Sequence, residues 1–374
     1  MARLLSVVWY KVLPAQFGGQ KGVAEFNQFL GLHHTLFCLC SLNNQPTGKE
    51  SYTVLPLLPV GKSQVVSPPA WQMINRIVKE EKITHLILEH SYYGLAGVFL
   101  KNRSGIKLVI HAHNIESLRF KALGKWWWFL LWILEKYTHR RADLNLFKTQ
   151  TDMNFAVERF GIDPAKCLIV PFGVTRNSPP SGHDRNIARQ RICKKLNLNP
   201  AEKIMLFTAS LDYAPNAQAL RTILEVIIPT LNQMTARPFM VVACGRIILP
   251  EYRYLIDLKH EHYIYAGYVN NIEDYFLAAD IFINPVTEGG GIKVKMMDAL
   301  AFNLPVVSTT HSARGVDLTL TGNKLKIVDD GDWASFCNKI IETWDENADL
   351  PQAFYEAYQW SKVIKPVADK LNSI

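Results

Sequence analysis

Residues 284–307 read Asn-Pro-Val-Thr-Glu-Gly-Gly-Gly-Ile-Lys-Val-Lys-Met-Met-Asp-Ala-Leu-Ala-Phe-Asn-Leu-Pro-Val-Val, which predicts a strand, a glycine-rich loop, a helix and a second strand. Gly289, Gly290 and Gly291 carry no Cβ atom, so the backbone of the loop can approach a ligand closely. The helix that follows presents free N–H groups and the positive end of its dipole at the same place, which favours a phosphate group. The stretch therefore predicts a phosphate-binding loop between elements of an α/β fold.

Three charged residues follow these glycines. Lys293 and Lys295 fall in the first turn of the predicted helix, where positive charge opposes the helix dipole unless an anion compensates it. Asp298 lies on the same face, where its carboxylate can accept hydrogen bonds from the hydroxyls of a ribose. The alternative, an ordinary glycine turn before a surface helix, leaves the two lysines unexplained. We therefore predict a nucleotide-diphosphate site here.

The stretch from Glu288 to Val307 resembles the donor-site signature of the retaining glycosyltransferases of family 4, also called glycosyl transferases group 1. Relatives with the form Gly-Ile-Lys-x-Lys usually continue with Glu and later Gly, where this chain has Asp298 and Asn303. The commoner family signature has two glutamates eight positions apart, and the first acid is displaced here to Glu288. The resemblance implies the GT-B fold: two Rossmann-like, doubly wound α/β domains that face a central cleft.

The remaining sequence predicts two domains of this kind. Short apolar stretches alternate with helical patterns, which is typical of parallel, doubly wound sheets. We expect an N-terminal acceptor domain at 1–180, a nucleotide-sugar donor domain at 181–350, and a linker at 175–186. The resemblance implies that a terminal helix, 351–374, crosses back onto the first domain. The clearest predicted strands are 4–9, 34–39, 85–88, 107–111, 203–208, 239–244, 263–266 and 280–284.

His113 is the most distinctive residue of the N-terminal half. It follows a predicted strand, and open α/β sheets bind ligands at the carboxyl ends of their strands. In the sequence His113-Asn114-Ile115-Glu116 it resembles the family's strand-end histidine, which contacts the donor sugar near the reacting carbon. The alternatives are a structural hydrogen-bonding role, or a role for His111, which alternation places on the same face.

The resemblance assigns roles to residues throughout the chain. Catalysis is expected of His113, which contacts the sugar, and of Glu288, which positions the sugar hydroxyls. The segment Thr208–Asn216 resembles the loop after the first strand of the nucleotide domain, and Gly18-Gly19 resembles the glycine loop at the cleft. The expected donor-binding residues are Ser210, Asn216, Gly289, Gly290, Gly291, Ile292, Lys293, Lys295 and Asp298, and the expected acceptor or cleft residues are Gly18, Gly19, Asn114 and Glu116.

Composition sets limits on the function. A hydrophobic content of 48% excludes a disordered chain, and a net charge of +8 fits anionic substrates. The six cysteines lack the spacing of a zinc site, which is typical of reduced thiols in the cytoplasm. No nucleic-acid-binding motif is present, so we expect no nucleic-acid partner. We also expect no metal ion and no cofactor, because the lysines stand where a metal would otherwise neutralise the diphosphate.

Residues Trp126–Leu134, Trp-Trp-Trp-Phe-Leu-Leu-Trp-Ile-Leu, form the most apolar segment. A segment this short cannot span a bilayer, which needs about 20 residues. Basic residues flank it on both sides, so one interpretation is peripheral contact with an anionic membrane. The other is a buried core helix, which we favour because Leu130, Ile133 and Leu134 are expected inside.

These observations predict a retaining glycosyltransferase that moves a sugar from a nucleotide-diphosphate sugar to a saccharide or lipid-linked acceptor. We expect it to act in cell-surface polysaccharide or glycolipid synthesis, in the cytoplasm or peripherally on the inner face of the membrane. The resemblance implies front-face attack, in which the leaving phosphate takes the acceptor's proton. Two alternatives stay open: a sugar-nucleotide epimerase of the same fold, and a catalytically silent sugar-nucleotide-binding subunit.

Overall fold

The structure, a computed structural model, describes residues 2–15, 18–246, 250–258, 260–289 and 294–374. The chain divides into two compact units, which are residues 1–173 with 360–374 and residues 174–359. We call them the N-terminal unit and the C-terminal unit. The sequence analysis expected the divisions at 180/181 and 350/351, whereas the structure has them at 173/174 and 359/360.

The N-terminal unit is built on one parallel sheet of seven strands. Their order, 3-2-1-4-5-6-7, reverses direction between the first and fourth strands, and open α/β sheets bind ligands at the carboxyl ends next to such a reversal. The strands are β1 (Arg3–Val7), β2 (Thr35–Ser41), β3 (Thr53–Leu58), β4 (His85–Glu89), β5 (Lys107–Ala112), β6 (Leu144–Phe147) and β7 (Cys167–Ile169).

Helices cover this sheet, and apolar clusters lie on both of its faces. The strands are apolar almost throughout, as expected for a parallel sheet that is buried on two sides. The first six helices of the chain belong to this unit: α1 (Gly18–Leu30), α2 (Pro68–Glu80), α3 (Gly94–Ser104), α4 (Glu116–Ala122), α5 (Trp128–Arg141) and α6 (Gln150–Phe155).

The C-terminal unit has a parallel sheet of six strands whose order shows the same reversal, here between β8 and β11. The strands are β8 (Lys203–Ser210), β9 (Phe239–Arg246), β10 (Tyr263–Gly267), β11 (Ile281–Asn284), β12 (Val306–Thr309) and β13 (Leu325–Val328). The helices are α7 (Gly182–Leu196), α8 (Ala214–Thr222), α9 (Ile228–Met234), α10 (Tyr254–Asp257), α11 (Glu273–Ala278), α12 (Val294–Ala301), α13 (Trp333–Thr343) and α14 (Gln352–Tyr358).

The end of the chain forms two helices that belong to different units. α14 packs within the C-terminal unit, where the Tyr355 hydroxyl donates to the Ala301 carbonyl at 3.0 Å. α15 (Trp360–Ser373) packs on the N-terminal unit. There Trp360 is completely buried, and its indole N–H donates to the Glu25 carboxylate at 2.6 Å. The unit boundary therefore falls between these two helices.

Three local expectations were wrong. Gly18 and Gly19 lie in the first turn of α1 rather than in a loop. The predicted linker is helical from Gly182, because the Ser181 hydroxyl caps α7 by accepting the Asp184 N–H at 3.1 Å. Four strands were not predicted: β6, β7 and β13 have three or four residues and so carry little periodicity, and β3 contains Pro56, which argues against a strand.

The tryptophan-rich segment is exposed, which corrects the expectation of a buried core helix. Trp126 is 77% exposed, Leu130 53% and Ile133 56%, although both aliphatic residues were expected inside. Within the segment, Leu131 is the buried residue instead. Among the described residues, no helix is both long and apolar enough to cross a membrane.

Candidate active site

The predicted phosphate-binding loop leaves β11 beside the strand-order reversal of the C-terminal unit. Gly289 has a φ of +96°, a conformation that side chains rarely adopt. A Cβ atom added there would also lie 2.6 Å from the hydroxyl of Tyr213, in the loop after β8. The positive φ therefore favours glycine at this position, and any side chain would also displace the Tyr213 ring.

The turn after β12 anchors the same loop. The hydroxyls of Thr309 and Ser312 both donate to the Val286 carbonyl, at 2.5 and 2.6 Å. The Nε2 atom of His311 lies 2.7 Å from the Gly289 carbonyl oxygen. These three residues were not predicted, although a polar run at the end of a buried strand is a signal that could have found them.

The other donor-site residues on this side are partly described. The described part of α12 starts at Val294, and the Lys295 ammonium lies 4.8 Å from the centroid of the Phe207 ring on β8. Asp298 is half-buried on the same helix, and Glu288 is exposed beside Gly289. The predicted residues Gly290, Gly291, Ile292 and Lys293 lie outside the described residues, so their roles stay predictions.

Ser210 and Asn216 shape the turn after β8. The Asn216 side-chain amide donates to the Ser210 carbonyl at 2.9 Å, and the Ser210 hydroxyl donates to the Asp212 carboxylate. α8 begins at Ala214, so Asn216 lies in the first turn of the helix. Both residues lie at the carboxyl end of β8, as their predicted donor-binding role requires.

An Asp-x-Asp triplet at Asp330–Asp332 escaped the sequence analysis. Asp330 accepts the backbone N–H of His311 at 2.9 Å. Asp332 caps α13 by accepting the Ser335 N–H at 3.0 Å. Both carboxylates thus hold backbone groups in place, which is a structural use of the triplet.

The N-terminal unit has its own polar cluster at the carboxyl ends of β4 and β5. The Nε2 atom of His113 lies 2.7 Å from Oε2 of Glu89, and the two atoms form a buried hydrogen bond. The Ser6 hydroxyl donates to the other carboxylate oxygen, Oε1, at 3.2 Å. His111 Nδ1 lies 2.9 Å from Oε2 but is not aligned for a hydrogen bond. Glu89, which the sequence analysis did not single out, is therefore the centre of the cluster.

Three imidazole rings lie in tilted contact across this cluster. The ring centroids of His90 and His113 are 4.5 Å apart, and those of His113 and His111 are 4.4 Å apart. His90 has a φ of +70°, which is unusual for a residue with a side chain and tends to occur at functional sites. The Tyr10 hydroxyl lies 3.2 Å from His90 Nε2. The orientation of the His113 ring is thus fixed on both faces.

Burial and charge set the protonation states of this cluster. Burial alone would raise the pKa of Glu89, but the adjoining His111 and His113 outweigh it and hold that pKa well below its usual range. Burial lowers the pKa of His113 well below its ordinary value, and it lowers the pKa of His111 to about 4. At neutral pH the cluster consequently contains one carboxylate and two uncharged imidazoles.

The predicted acceptor residues Asn114 and Glu116 lie next to the cluster. Glu116 is buried and accepts hydrogen bonds from the Tyr92 hydroxyl at 2.7 Å and from two nitrogens of Arg119 at 2.9 and 2.6 Å. The Asn114 amide donates to it more weakly, at 3.4 Å. Glu135 on α5 accepts the backbone N–H of Glu116 at 2.8 Å, which caps α4. The acceptor role of both residues stays a prediction.

Lys148, directly after β6, is a buried cation that the sequence analysis did not single out. Its ammonium lies 4.6 Å from the ring centroid of Phe172 and 5.9 Å from those of Phe26 and Trp360. Burial lowers the pKa of Lys148 to about 7, against the opposing charge of Glu89. Its amine therefore loses its charge near neutral pH.

Comparisons with known proteins agree with this geometry. Residues 24–177 match the family model described as Glycosyltransferase Family 4, and residues 202–346 match the model described as Glycosyl transferases group 1. The match over 202–346 contains the glycine loop, and the match over 24–177 contains Glu89, His111 and His113. A search of curated protein sequences found no match.

Solved structures share the fold over the whole chain. A glycosyltransferase from Rickettsia africae is 15% identical, with a TM-score of 0.72 over 100% of this chain and 98% of that one. Anabaena HepE in complex with UDP-glucose is 14% identical, with a TM-score of 0.74 and full coverage of both chains. A sucrose-phosphate synthase from Thermosynechococcus elongatus is 12% identical, with a TM-score of 0.76 over 100% and 99% of the chains. The predicted GT-B fold is confirmed.

Proposed function

Because the chain belongs to the family 4 glycosyltransferases, the glycosyl transferases group 1, we propose that it moves a sugar from a nucleotide-diphosphate sugar to a saccharide or lipid-linked acceptor with retention of configuration. The observation that carries the proposal is the Gly289 loop, anchored by Thr309, His311 and Ser312 beside the strand-order reversal. A loop held in this way keeps its backbone groups in place for a phosphate, so little reorganisation is needed when the ligand binds.

In the proposed mechanism, charge that develops on the departing diphosphate is stabilised by Lys293, Lys295 and the N–H groups of residues 290–292. Groups that are already oriented lower the barrier because they do not have to reorganise during the reaction. Asp298 accepts hydrogen bonds from the ribose, and Glu288 orients the sugar hydroxyls. His113 contacts the sugar near the reacting carbon. The leaving phosphate takes the acceptor's proton.

A thermal-shift screen against UDP, GDP, ADP and dTDP tests nucleotide binding. A diphosphate present at 100 times its Kd should stabilise the protein by about 2.7 kcal/mol. The matching nucleotide sugars, incubated with and without saccharide acceptors, then separate the alternatives. Donor conversion without acceptor favours an epimerase, and binding without any conversion favours a silent subunit. An inverted anomeric centre in the product, detected by NMR, would refute retention.

We further propose that the reaction needs no metal ion, because Lys293 and Lys295 provide positive charge where a metal would otherwise neutralise the diphosphate. Transfer should therefore continue in excess EDTA. Loss of activity with EDTA that Mg²⁺ or Mn²⁺ restores would refute this, and variants of Asp330 would then be the first to examine.

The proposed lipid-linked acceptor is supported by an exposed surface on α4 and α5. We define the apolar surface as Leu118, Leu123, Trp126, Phe129, Leu130 and Ile133, which are 38–77% exposed. Both acidic residues between 116 and 141, Glu116 and Glu135, are buried, while Lys121, Lys125, Arg140 and Arg141 are exposed. Apolar side chains on a segment whose exposed charged residues are all basic suit an anionic membrane surface.

Vesicle sedimentation tests this contact. The protein should bind vesicles that contain phosphatidylserine at low salt and partly dissociate at high salt, because exposed charges are then screened. Leu130→Asp should weaken binding. Leu32→Asp is a matched control, because Leu32 is 66% exposed in the same unit but outside the apolar surface. Equal binding by both variants, or no binding at any salt concentration, would remove the membrane from the proposal.

A further inference from the structure

Glu89 is a completely buried carboxylate to which the proposed mechanism assigns no task. An ionised carboxylate is costly to bury unless its oxygens accept hydrogen bonds. Glu89 meets this requirement with the Ser6 hydroxyl at one oxygen and His113 Nε2 at the other. His113 is the residue expected to contact the sugar, so the pairing affects the proposed site directly.

The pairing decides which ring nitrogen of His113 carries a proton. An ionised carboxylate can only accept hydrogen bonds, so a 2.7 Å contact with Oε2 requires a proton on Nε2. The lowered pKa of His113 leaves the ring uncharged, so it has no second proton. Its Nδ1 therefore carries a lone pair. No residue that the structure describes forms a hydrogen bond with this atom.

We propose that Glu89 is a positioning residue that fixes His113 in the Nε2–H tautomer, so that Nδ1 accepts a hydrogen bond from a hydroxyl group of the transferred sugar. The tilted rings of His90 and His111, with centroids 4.5 and 4.4 Å from that of His113, restrict the imidazole plane while Glu89 determines which nitrogen carries the proton. The sugar contact rests on the proposed function, whereas the tautomer can be measured without it.

This tautomer has a consequence for donor specificity. A lone pair attracts a hydroxyl group, which can donate, and repels a carboxylate, which cannot. A donor sugar with a hydroxyl at the contacted position should therefore react faster than one with a carboxylate there. The reverse tautomer, with a proton on Nδ1, would give the opposite preference.

Two other roles for Glu89 compete with this one. Suitable ligand atoms of Glu89, His111 and His113 lie within 4.8 Å of one another, a spacing that could accommodate a metal ion. The 2.7 Å separation between His113 Nε2 and Oε2 is that of a hydrogen bond, and Lys148, when protonated, acts on His111 as a positive charge, which disfavours a further cation. Glu89 could instead position His111 alone, but His111 Nδ1 is poorly aligned for a hydrogen bond with Glu89.

Nitrogen-15 NMR of the histidine rings tests the tautomer in the protein without ligands. The His113 signals, assigned with a His113→Gln variant, should show Nε2 protonated and Nδ1 unprotonated at pH 7. Glu89→Gln should shift the population towards the other tautomer, because the glutamine amide can also donate. Glu135→Gln is the matched control: it makes the same change at a buried carboxylate of this unit that does not contact His113.

Kinetics test the positioning role with the nucleotide sugar that the wild-type enzyme turns over fastest. Glu89→Gln should lower kcat about 10- to 100-fold with little change in nucleotide affinity, as is typical when a residue that orients an active-site histidine is changed. The double variant Glu89→Gln/His113→Ala should be no slower than His113→Ala alone, because Glu89 acts through His113.

The outcomes separate this inference from the proposed function. A wild-type His113 that is protonated on Nδ1, or additive losses in the double variant, would overturn it even if the protein transfers sugar. One equivalent of tightly bound metal that Glu89→Gln removes would overturn it as well. If the protein converts no nucleotide sugar but shows the expected tautomer, the proposed function fails and the positioning of His113 by Glu89 stands.

Discussion

The two units differ in the groups that they place at the carboxyl ends of their strands. The N-terminal unit brings Glu89, His111 and His113 into mutual contact, whereas the C-terminal unit holds a loop through backbone carbonyls at Val286 and Gly289. The contrast extends through both interiors. Among the described residues, the buried Glu, His and Lys side chains of the N-terminal unit are His34, His85, Glu89, His111, His113, Glu116, Glu135, His139 and Lys148, whereas the C-terminal unit buries only Lys324.

This difference separates two ways of building a site. Backbone groups and glycine hold their geometry at any pH, which suits binding of a ligand that is always charged, such as a diphosphate. Buried imidazoles and carboxylates cost stability, but they define proton positions at a reacting centre. The N-terminal unit should accordingly be the part of the protein whose stability depends on pH.

The largest expected effect is loss of stability in mild acid. Burial lowers the pKa of both His111 and His139 to about 4, so between pH 6.5 and 4 the unfolded chain binds more protons at these sites than the folded protein does. Stability is therefore complete above pH 6.5 and falls as the pH is lowered, by about 2 kcal/mol for each histidine at pH 5. Urea unfolding at pH 7 and pH 5 measures this change.

Glu135 should oppose this loss of stability in acid, so variants of Glu135 and His139 should have opposite effects. Burial raises the pKa of Glu135 to about 7, so its protonation on acidification favours the folded state. Glu135→Gln should steepen the decline in stability between pH 7 and 5, and His139→Gln should flatten it. Hydrogen exchange, corrected for intrinsic rates, should show that the N-terminal unit opens first. Earlier opening of the C-terminal unit would contradict the comparison.

The next largest change in stability is expected for Lys148→Met. The folded pKa of Lys148 is about 7 and that of an unfolded lysine is near 10.4, so wild-type stability should rise as the pH increases from 7 to 10. Methionine fills similar space without a charge to bury, so the variant should be about 1–4 kcal/mol more stable at pH 7. Denaturant unfolding at pH 7 and 9.5 should show that this gain shrinks at the higher pH. A variant less stable than wild type at both pH values would mean that the aromatic contacts of the ammonium outweigh its burial.

Lys295→Ala probes the other unit. Charge-assisted contacts contribute about 1.5–3 kcal/mol, so affinity for the nucleoside diphosphate should fall about 10- to 150-fold, while affinity for the nucleoside changes little. Calorimetry with both ligands measures the difference. Lys203→Ala, at the opposite end of β8, is the control, because this lysine donates to the Trp344 carbonyl at 2.9 Å. If both variants bind the diphosphate equally well, the loop of the C-terminal unit is not the phosphate site.

The same contrast explains how much the sequence could predict. The loop from Glu288 to Gly291 and the helix after it are contiguous, so a local motif identified the fold and one side of the site. The Glu89 cluster joins residues from β1, β4 and β5. His113 was found through its resemblance to a family residue and His111 as its alternative, whereas Glu89 and Ser6 were not singled out. The apolar segment around Trp126 was assigned to the core because a core helix and an exposed apolar helix can have equally hydrophobic sequences. Hydrophobicity alone therefore could not distinguish them.

The smallest expected effect concerns Asn303, which ends the glycine-loop helix with a φ of +61°. Its side chain donates to the Asp349 carboxylate at 2.6 Å and accepts the Leu350 N–H at 2.8 Å. Asn303→Ala loses both bonds and keeps the unfavourable backbone conformation, so it should cost about 1–2 kcal/mol. Asn303→Gly loses the same bonds but relieves the backbone, so it should cost about 1 kcal/mol less than alanine does. Thermal unfolding of both variants measures the difference. Equal destabilisation by alanine and glycine would show that the two side-chain bonds, rather than the left-handed conformation, determine the residue at this position.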